Sequence, residues 1–387
     1  MLFLRMLQNL VARWAPEMHP DTGSLLCSGS EGVLSTEMGR AIVDLARTAR
    51  SENRVHEMFN SHSADKVLAA LKDCPEAAEF LSELDAFLNM HGHRALKEFE
   101  LASVRWDEDP TPVLGMVRNY LVVDTELEST ENDVQKQREA LMIELTSHLD
   151  RLPLEGLGHP RRAIIKKLVE QTRYYMKLRE NSRFYHIMGF YGVRKKILAI
   201  ETKLLGTGVL KCKDDIFYLH WTEVQKLESG ELGWLDVEDI IRTRRMEHIR
   251  TTKLVPPKTI GVDIDTPMQS GSGEMLFGQA ASPGRYEGIA RVILDPATDN
   301  EIEPGEILVA PYTDPAWTPL FLTANAAVVE VGSYLSHAGT IAREYGMPCV
   351  VDASDCTSRI TTGTRLLVDG SNGEVTILTE ETEEAEA

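Results

Sequence analysis

Nowhere in this chain of 387 residues does an apolar run approach the length needed to cross a membrane. The opening Met1-Leu2-Phe3-Leu4-Arg5-Met6 is interrupted by Arg5 too early to form the apolar core of a secretory signal. Cysteine is scarce. Cys27, Cys74, Cys212, Cys349 and Cys356 are an odd number without paired metal-ligand spacing, which argues against a disulfide framework and points to reduced thiols in a cytoplasmic protein. Basic charge is in deficit, 41 Lys and Arg against 60 Asp and Glu, for a net charge of -19. A protein that tracks a nucleic-acid backbone needs a basic face, so nucleic acid is not an expected partner. A Gly-x-x-x-x-Gly-Lys-Ser/Thr phosphate loop is missing, and no complete metal site stands out. Any phosphate bound here must be met by local basic groups, helix N-termini or a metal. Otherwise the composition is that of a globular protein, 43% hydrophobic and 26% charged, long enough for two or three domains.

From Met1 to about Asp265 apolar residues recur at helical spacing. Helices are expected over 36–48, 65–71, 77–90, 113–122 and 126–152, the last with Leu141, Leu145 and Leu149 at i,i+4 spacing. Two more are expected as a pair, one from Pro160 through Leu178 and one over 184–205, closed by Gly206-Thr207-Gly208. Residues 215–219 read as a short strand and 221–229 as a short helix. Pro256-Pro257 and the polar run from Thr266 to Gly273 mark a linker. After Ala281 short β-rich runs appear at 289–294, 307–310, 327–331, 349–351, 365–368 and 375–378, around one helix at 336–345. The expected fold is multidomain, α plus α/β. A mostly helical domain covers 1–265, a linker 266–280, a compact β/β/α domain 281–378 and an acidic tail 379–387.

One histidine has a distinctive setting. Ser336 stands where a helix beginning at His337 would be capped, and Gly346 followed by Met347-Pro348 ends that helix. A first helical turn leaves amide hydrogens unpaired and carries positive dipole character, which suits a dianionic phosphoryl group. Gly332, Ser333, Ala338 and Gly339 keep the surroundings uncrowded, as a group that enters another site requires. On the residues alone two readings are open, a packed or surface histidine and a transiently phosphorylated one. Arg343, six residues on, is not assigned to the same phosphate and is free to face a partner domain.

The run Gly332-Ser333-Tyr334-Leu335-Ser336-His337-Ala338-Gly339-Thr340-Ile341-Ala342-Arg343-Glu344-Tyr345-Gly346-Met347-Pro348 resembles the phosphohistidine swivelling domain of the phosphoenolpyruvate-utilising enzymes. The resemblance extends upstream through Ser282-Pro283-Gly284, Pro304-Gly305-Glu306 and Thr313-Asp314-Pro315-Ala316-Trp317-Thr318-Pro319, and downstream to Asp369-Gly370. It implies that His337 receives phosphate from an ATP-binding domain and swings to deliver it, with Ser336, Ala338, Gly339 and Arg343 supporting its helix. Leu335 occupies the place of a regulatory threonine in the dikinase branch, so that form of control is expected to be absent.

A second resemblance covers the helical part. Gly92-His93-Arg94, Glu98, Glu100-Leu101-Ala102 and Arg105-Trp106-Asp107-Glu108-Asp109-Pro110 are similar to the acceptor-binding region of rifampin phosphotransferases and related phosphoenolpyruvate-synthase-like proteins. Glu31-Gly32-Val33-Leu34-Ser35 and Arg179-Glu180-Asn181 fit the same region. His93, Arg94, Glu98 and Arg105 form a candidate transfer site, with His93 as base and the arginines against phosphoryl charge. A salt-bridge network between helices is the alternative. Arg179 and Arg183 share a helix face at i,i+4, either as phosphate or partner contacts or as an intrachain ion-pair network.

No segment resembles the ATP-grasp domain or the phosphoenolpyruvate-binding barrel. The resemblance therefore implies either a truncated or repurposed relative or, as the preferred expectation, a dikinase-like phosphotransferase component of a split, multisubunit system of the phenylphosphate synthase kind, inactive alone. A separate ATP-grasp-like subunit, using ATP and Mg2+, would charge His337 for delivery to a hydroxylated small-molecule acceptor. Two rival expectations are a non-catalytic regulatory or binding subunit and a part of a phosphoenolpyruvate/pyruvate phosphotransfer assembly.

Overall fold

The computed structural model describes residues 2–29, 32–122, 127–151, 158–252, 254, 275–296 and 302–378. Its first half is helical: α1 (Leu2–Trp14), α2 (Thr22–Leu25), α3 (Leu34–Ser51), α4 (Asn53–Ser61), α5 (Ala64–Lys72), α6 (Ala78–His91), α7 (Thr111–Val122), α8 (Leu127–Arg151) and α9 (Gly158–Gly206). Then come α10 (Trp221–Ser229) and α11 (Trp234–Thr251). The apolar spacing explains which faces turn inward. α1 buries Leu4, Leu7 and Val11, which meet Leu145 and Leu149 of α8 and Ile165, Leu168 and Val169 of α9 in one core.

Two local expectations are corrected. The pair of helices expected over 160–178 and 184–205 is one continuous helix, α9. Arg179-Glu180-Asn181-Ser182-Arg183 holds neither Pro nor Gly, so nothing there opens the hydrogen-bond ladder. The strand expected at 215–219 is a 3-10 turn, Asp215–Tyr218, started by Asp214 in the left-handed region with φ 70°. Four residues are too few for periodicity to separate strand from helix.

The mixed α/β domain begins at Met275. Its strands are β1 (Met275–Phe277), β2 (Gln279–Ser282), β3 (Arg285–Val292), β4 (Ile307–Ala310), β5 (Ala326–Val329), β6 (Cys349–Val351), β7 (Arg365–Asp369) and β8 (Glu374–Ile377). They lie in the order β1-β8-β7-β3-β4-β5-β6-β2, with β3 to β6 parallel. The expected linker over 266–280 is thus shortened: 275–280 enter strands, because β1 pairs with β8 and β2 with β6. Residues 266–274 and the expected tail at 379–387 lie outside the described residues.

Alternate residues of β4 face opposite sides. Leu308 and Ala310 join Trp317, Phe321, Ile341 and Tyr345 under α12 (Thr318–Thr323) and α13 (His337–Tyr345). Ile307 and Val309 join Cys356 of α14 (Cys356–Arg359) with Leu366 and Val368.

The packing divides the chain differently from a boundary at 265. One compact unit holds 1–92, 105–184 and 269–387; the other holds 93–104 and 185–268. The second unit has its own core of Leu204, Leu210, Ile216, Val224, Leu227, Val237 and Ile241. Within it, buried Arg194 donates to Leu101 O and lies over the Phe217 ring, which ties segment 93–104 to α9.

In the first unit the α/β domain sits on the helical face. Gly39 of α3 makes this contact close: a Cβ there would lie 3.1 Å from Tyr345 Oη, 3.2 Å from Leu322 Cδ1 and 3.4 Å from Thr318 Cγ2. Tyr120 of α7 donates its hydroxyl to Pro319 O. Among the described residues no helix is long and apolar enough to cross a membrane.

Candidate functional site

α13 starts at His337 with Ser336 as its N-cap in extended geometry, φ -65° and ψ 167°. The cap works through the backbone: Ser336 O accepts from Thr340 N at 3.0 Å, and the serine hydroxyl makes no capping bond. Gly346, at φ 68°, ends the helix in the left-handed conformation that glycine adopts without a Cβ penalty. Gly339 is required by proximity, since a Cβ there would lie 2.8 Å from Tyr334 O.

His337 is buried against the helical part of its unit. Its Nδ1 lies 3.7 Å from Glu180 Oε1 on α9, and its Nε2 lies 3.3 Å from Thr318 Oγ1. Phe321 presents an edge to the imidazole at a ring separation of 6.2 Å. Glu180 is held from a third side, where Ser35 of α3 donates to its Oε1 at 3.4 Å. Asn181 fixes the register, accepting from Leu34 N at 3.0 Å and donating to Gly32 O at 2.8 Å. The N-termini of α3 and α13 thereby converge on one carboxylate. Burial works to raise the Glu180 carboxyl, but the imidazole of His337 beside it, with Arg179 and Arg183, outweighs burial and holds the group below the ordinary carboxylate range.

The other site residues named from sequence are distributed unequally. Arg179 contacts Glu180 at 3.7 Å and is half exposed, and Arg183 follows on the same helix beside it. Arg343 does not face a partner. It is buried within the first unit, donates to Tyr334 O at 2.8 Å and to Ala281 O, and lies 4.1 Å from the Tyr334 ring centroid. It clamps the loop before His337, because a guanidinium this deep needs carbonyl acceptors more than solvent. Ala338 is packed into the domain core.

His93, Arg94 and Glu98 belong to the second unit, whereas His337 and Arg105 belong to the first. Arg94 and Glu98 form a buried ion pair at 3.0 Å, and His93 is buried with its ring 6.5 Å from Tyr191. Arg105 is fully buried next to Trp106, which stacks on Phe87. Gly92 is needed where the two segments meet: a Cβ would lie 2.3 Å from Leu88 O and 2.8 Å from Asp107 Cβ, and Asp107 N donates to Gly92 O.

Glu180 and Thr318, which face the histidine, and Ser35, which donates to Glu180, are residues that sequence reasoning did not single out. All three lie inside motifs already quoted, so the signal was the motif and not the residue. Glu31, of the Glu31-Gly32-Val33-Leu34-Ser35 motif, lies outside the described residues.

Several buried polar atoms around α13 have no hydrogen-bond partner among the described residues: Ser336 Oγ, Thr340 Oγ1 and Tyr334 Oη. Thr172 Oγ1 on α9 bonds back to Leu168 O at 2.7 Å, a bond that Thr340 does not make. A cavity of about 660 Å³ lies at the far end of α13, lined by Gly346, Pro283, Arg138 and Asn372 among others. It does not include His337, and the chemistry follows the histidine. No cluster of three or more His, Cys, Asp or Glu side chains that could hold a metal occurs among the described residues.

Residues 1–180 match the family described as rifampicin phosphotransferase fourth domain, and residues 302–373 match the PEP-utilising enzyme mobile domain. The rifampicin phosphotransferase of Streptomyces sviceus is 30% identical over 382 residues, covering 96% of this chain and 43% of that protein. The rifampicin phosphotransferase of Bacillus subtilis is 30% identical, covering 89% of the chain and 40% of the relative. The prodigiosin synthesizing transferase PigC of Serratia marcescens is 31% identical, covering 88% and 38%. The chain spans about two fifths of the length of these curated relatives. It thus carries a rifampicin phosphotransferase fourth domain over residues 1–180 and a PEP-utilising enzyme mobile domain over residues 302–373.

Proposed function

We propose that this chain is the carrier and acceptor portion of a phosphotransferase. His337 takes a phosphoryl group from an ATP-binding component and passes it to the hydroxyl of a small molecule held by the helical part. The donor component is a separate ATP-grasp-like subunit that uses ATP and Mg2+, and His337 is what this chain contributes to that step. One observation carries the reading: His337 does not project into solvent but is seated against Glu180 and the N-terminus of α3. A carrier at rest in its delivery position would sit this way.

The surroundings suit phosphoryl transfer, in which positioning and electrostatics account for most of the barrier reduction. The first turn of α13 carries helix-dipole character that favours phosphoryl oxygens. Arg179 and Arg183 add positive charge on α9 beside the acceptor side of the junction. The P–N bond breaks with its electron pair going to the imidazole, the acceptor oxygen forms the new O–P bond, and the hydroxyl proton leaves to water. His93 as acceptor base remains a proposal from sequence. The buried Arg94–Glu98 pair beside it reads as a structural ion pair of the second unit.

The test is chemical charging of the intact chain with radiolabelled phosphoramidate, followed by acid and alkali treatment. The expected result is an acid-labile, alkali-stable label that disappears in His337→Asn. Equal labelling of a His337→Asn chain that retains its fold overturns the carrier reading and favours a non-catalytic binding subunit.

A further inference from the structure

We infer that Tyr334 and Leu335 form an apolar latch that seats the mobile domain on α1 and α9, with Leu335 as the positioning residue that keeps His337 in its delivery position. The inference rests on the carrier reading above and adds the side chains that hold the carrier in place.

Chain order starts the argument. Leu335 stands two positions before His337 in the loop from β5 to α13, so whatever seats its side chain also places the histidine. In the docked structure Leu335 lines a crevice of about 50 Å³ with Phe3 and Leu4 of α1 and Thr172, Tyr175, Met176 and Arg179 of α9. Phe3 stacks on Tyr175 at a ring separation of 5.4 Å, which stiffens one wall. The Thr172 hydroxyl is spent on Leu168 O at 2.7 Å, so the threonine presents its methyl group's chemistry rather than a waiting donor. Arg179 supplies the charged member, and it is half exposed. Tyr334, although carried by the mobile domain, packs against the helical core that includes Leu4, Leu7, Leu145 and Leu168. Two neighbouring apolar side chains of one loop thus find their partners on the other side of the docking face.

The latch is shaped before it closes. Arg343 donates to Tyr334 O at 2.8 Å and lies 4.1 Å from the centre of its ring. Ser336 N donates to Ser333 O at 2.8 Å, and Gly339 leaves Tyr334 O the room that a Cβ would take. All of these groups belong to the mobile domain and travel with it. The loop keeps its form off the helical body, and docking has few side chains left to order.

Burial of His337 supplies the readout. While the domain is docked the histidine is 7% exposed, so phosphoramidate, which gives its phosphoryl group to the ring and leaves as ammonia, reaches it when the domain lifts. The rate of acid-labile labelling therefore follows the undocked fraction. Removing half-buried apolar atoms from the latch raises that fraction, and Leu335→Ala is expected to label about tenfold faster than wild type. Leu335→Met, which conserves volume, should restore a rate near wild type. Met176→Ala changes the opposite wall and should also speed labelling, while Leu294→Ala, at an exposed position of the mobile domain, should not.

The double variant Leu335→Ala/Met176→Ala decides whether the two walls meet. Side chains that share one crevice are coupled, so its rate is expected to fall short of the product of the two single effects. Amide exchange of β4, β5 and β6, followed alongside, separates lifting from unfolding. Should Leu335→Ala loosen those strands, Met176→Ala carries the test, because it leaves the mobile domain's own sequence intact. Equal labelling rates in wild type, Leu335→Ala and Met176→Ala overturn the latch and leave the carrier reading standing, as does a double variant whose effect is the full product. Absence of label on His337 in every chain overturns the carrier reading itself.

Discussion

Replacing Gly39 with leucine should lift the mobile domain from the helical face without weakening α3. The first added carbon already sits 3.1 Å from Tyr345 Oη and 3.2 Å from Leu322 Cδ1, and three more carbons have no space to occupy. Forcing methylenes into such a contact costs about 1–3 kcal/mol. At 1.4 kcal/mol per factor of ten, the ratio of docked to undocked chain falls by about 5-fold to 150-fold. The effect on α3 itself has the opposite sign, because leucine favours a helix interior over glycine by about 0.5–1 kcal/mol. Amide hydrogen exchange separates the two. Peptides from α12, from the first turn of α13 and from the α9 segment around Glu180 should exchange faster, while α3 is unchanged or slower. Uniformly faster exchange over α3, α6 and α7 would mean that the helical body had unfolded, and unchanged exchange in α12 would refute the close-approach argument.

Other perturbations test the remaining structure. Gly92→Ala places a carbon against the Leu88 carbonyl and forces the backbone to move, so denaturant unfolding should show a loss of about 3 kcal/mol. Arg94→Ala removes the Arg94 guanidinium from the buried Glu98 carboxylate and should cost up to about 3–5 kcal/mol in the same assay, while phosphoramidate labelling of His337 persists in the folded fraction. Burial pushes the Cys27 and Cys349 thiols up to about 12, against the opposing pull of Arg173 on Cys27 and of Arg343 on both. A group raised above its unfolded value stabilises the fold at lower pH. That stability is intact below the ordinary thiol value of 9.0 and is lost as pH rises toward about 12. Each thiol contributes a slope of about 1.4 kcal/mol per pH unit over that window, which Cys27→Ala should reduce. At pH 8 a thiol reagent should label exposed Cys212 in the native chain and reach the other four cysteines only after unfolding.

The sequence made the mobile domain readable because its strands are short apolar runs cut by glycine, proline and aspartate. The parallel strands β4, β5 and β6 sit within a residue or so of where those runs lie. Strands β1 and β2 were hidden, since Gln279 and Ala280 carry no β-rich pattern and owe their conformation to pairing with Val351 and Val350. The unity of α9 was hidden for the opposite reason. Its middle is polar, and a polar stretch between apolar ones looks like a connection when its partners are unseen. Glu180 shows the limit most clearly. On a helix wheel it is one charge among Arg179, Arg183 and their neighbours, and only the fold shows that it points inward, at a histidine 157 positions away in the chain.

The unpartnered hydroxyls of Ser336, Thr340 and Tyr334 bear on how firmly the domain sits. A buried hydroxyl without a partner costs about 1–3 kcal/mol, a penalty lifted as soon as water reaches it. Tyr334 packs against the core shared by α1, α8 and α9, so there every 1.4 kcal/mol of that penalty lowers the ratio of docked to undocked chain by about tenfold. A face sealed by a further hydrogen bond would hold the domain more firmly, and the carrier role proposed above needs a contact that can be broken.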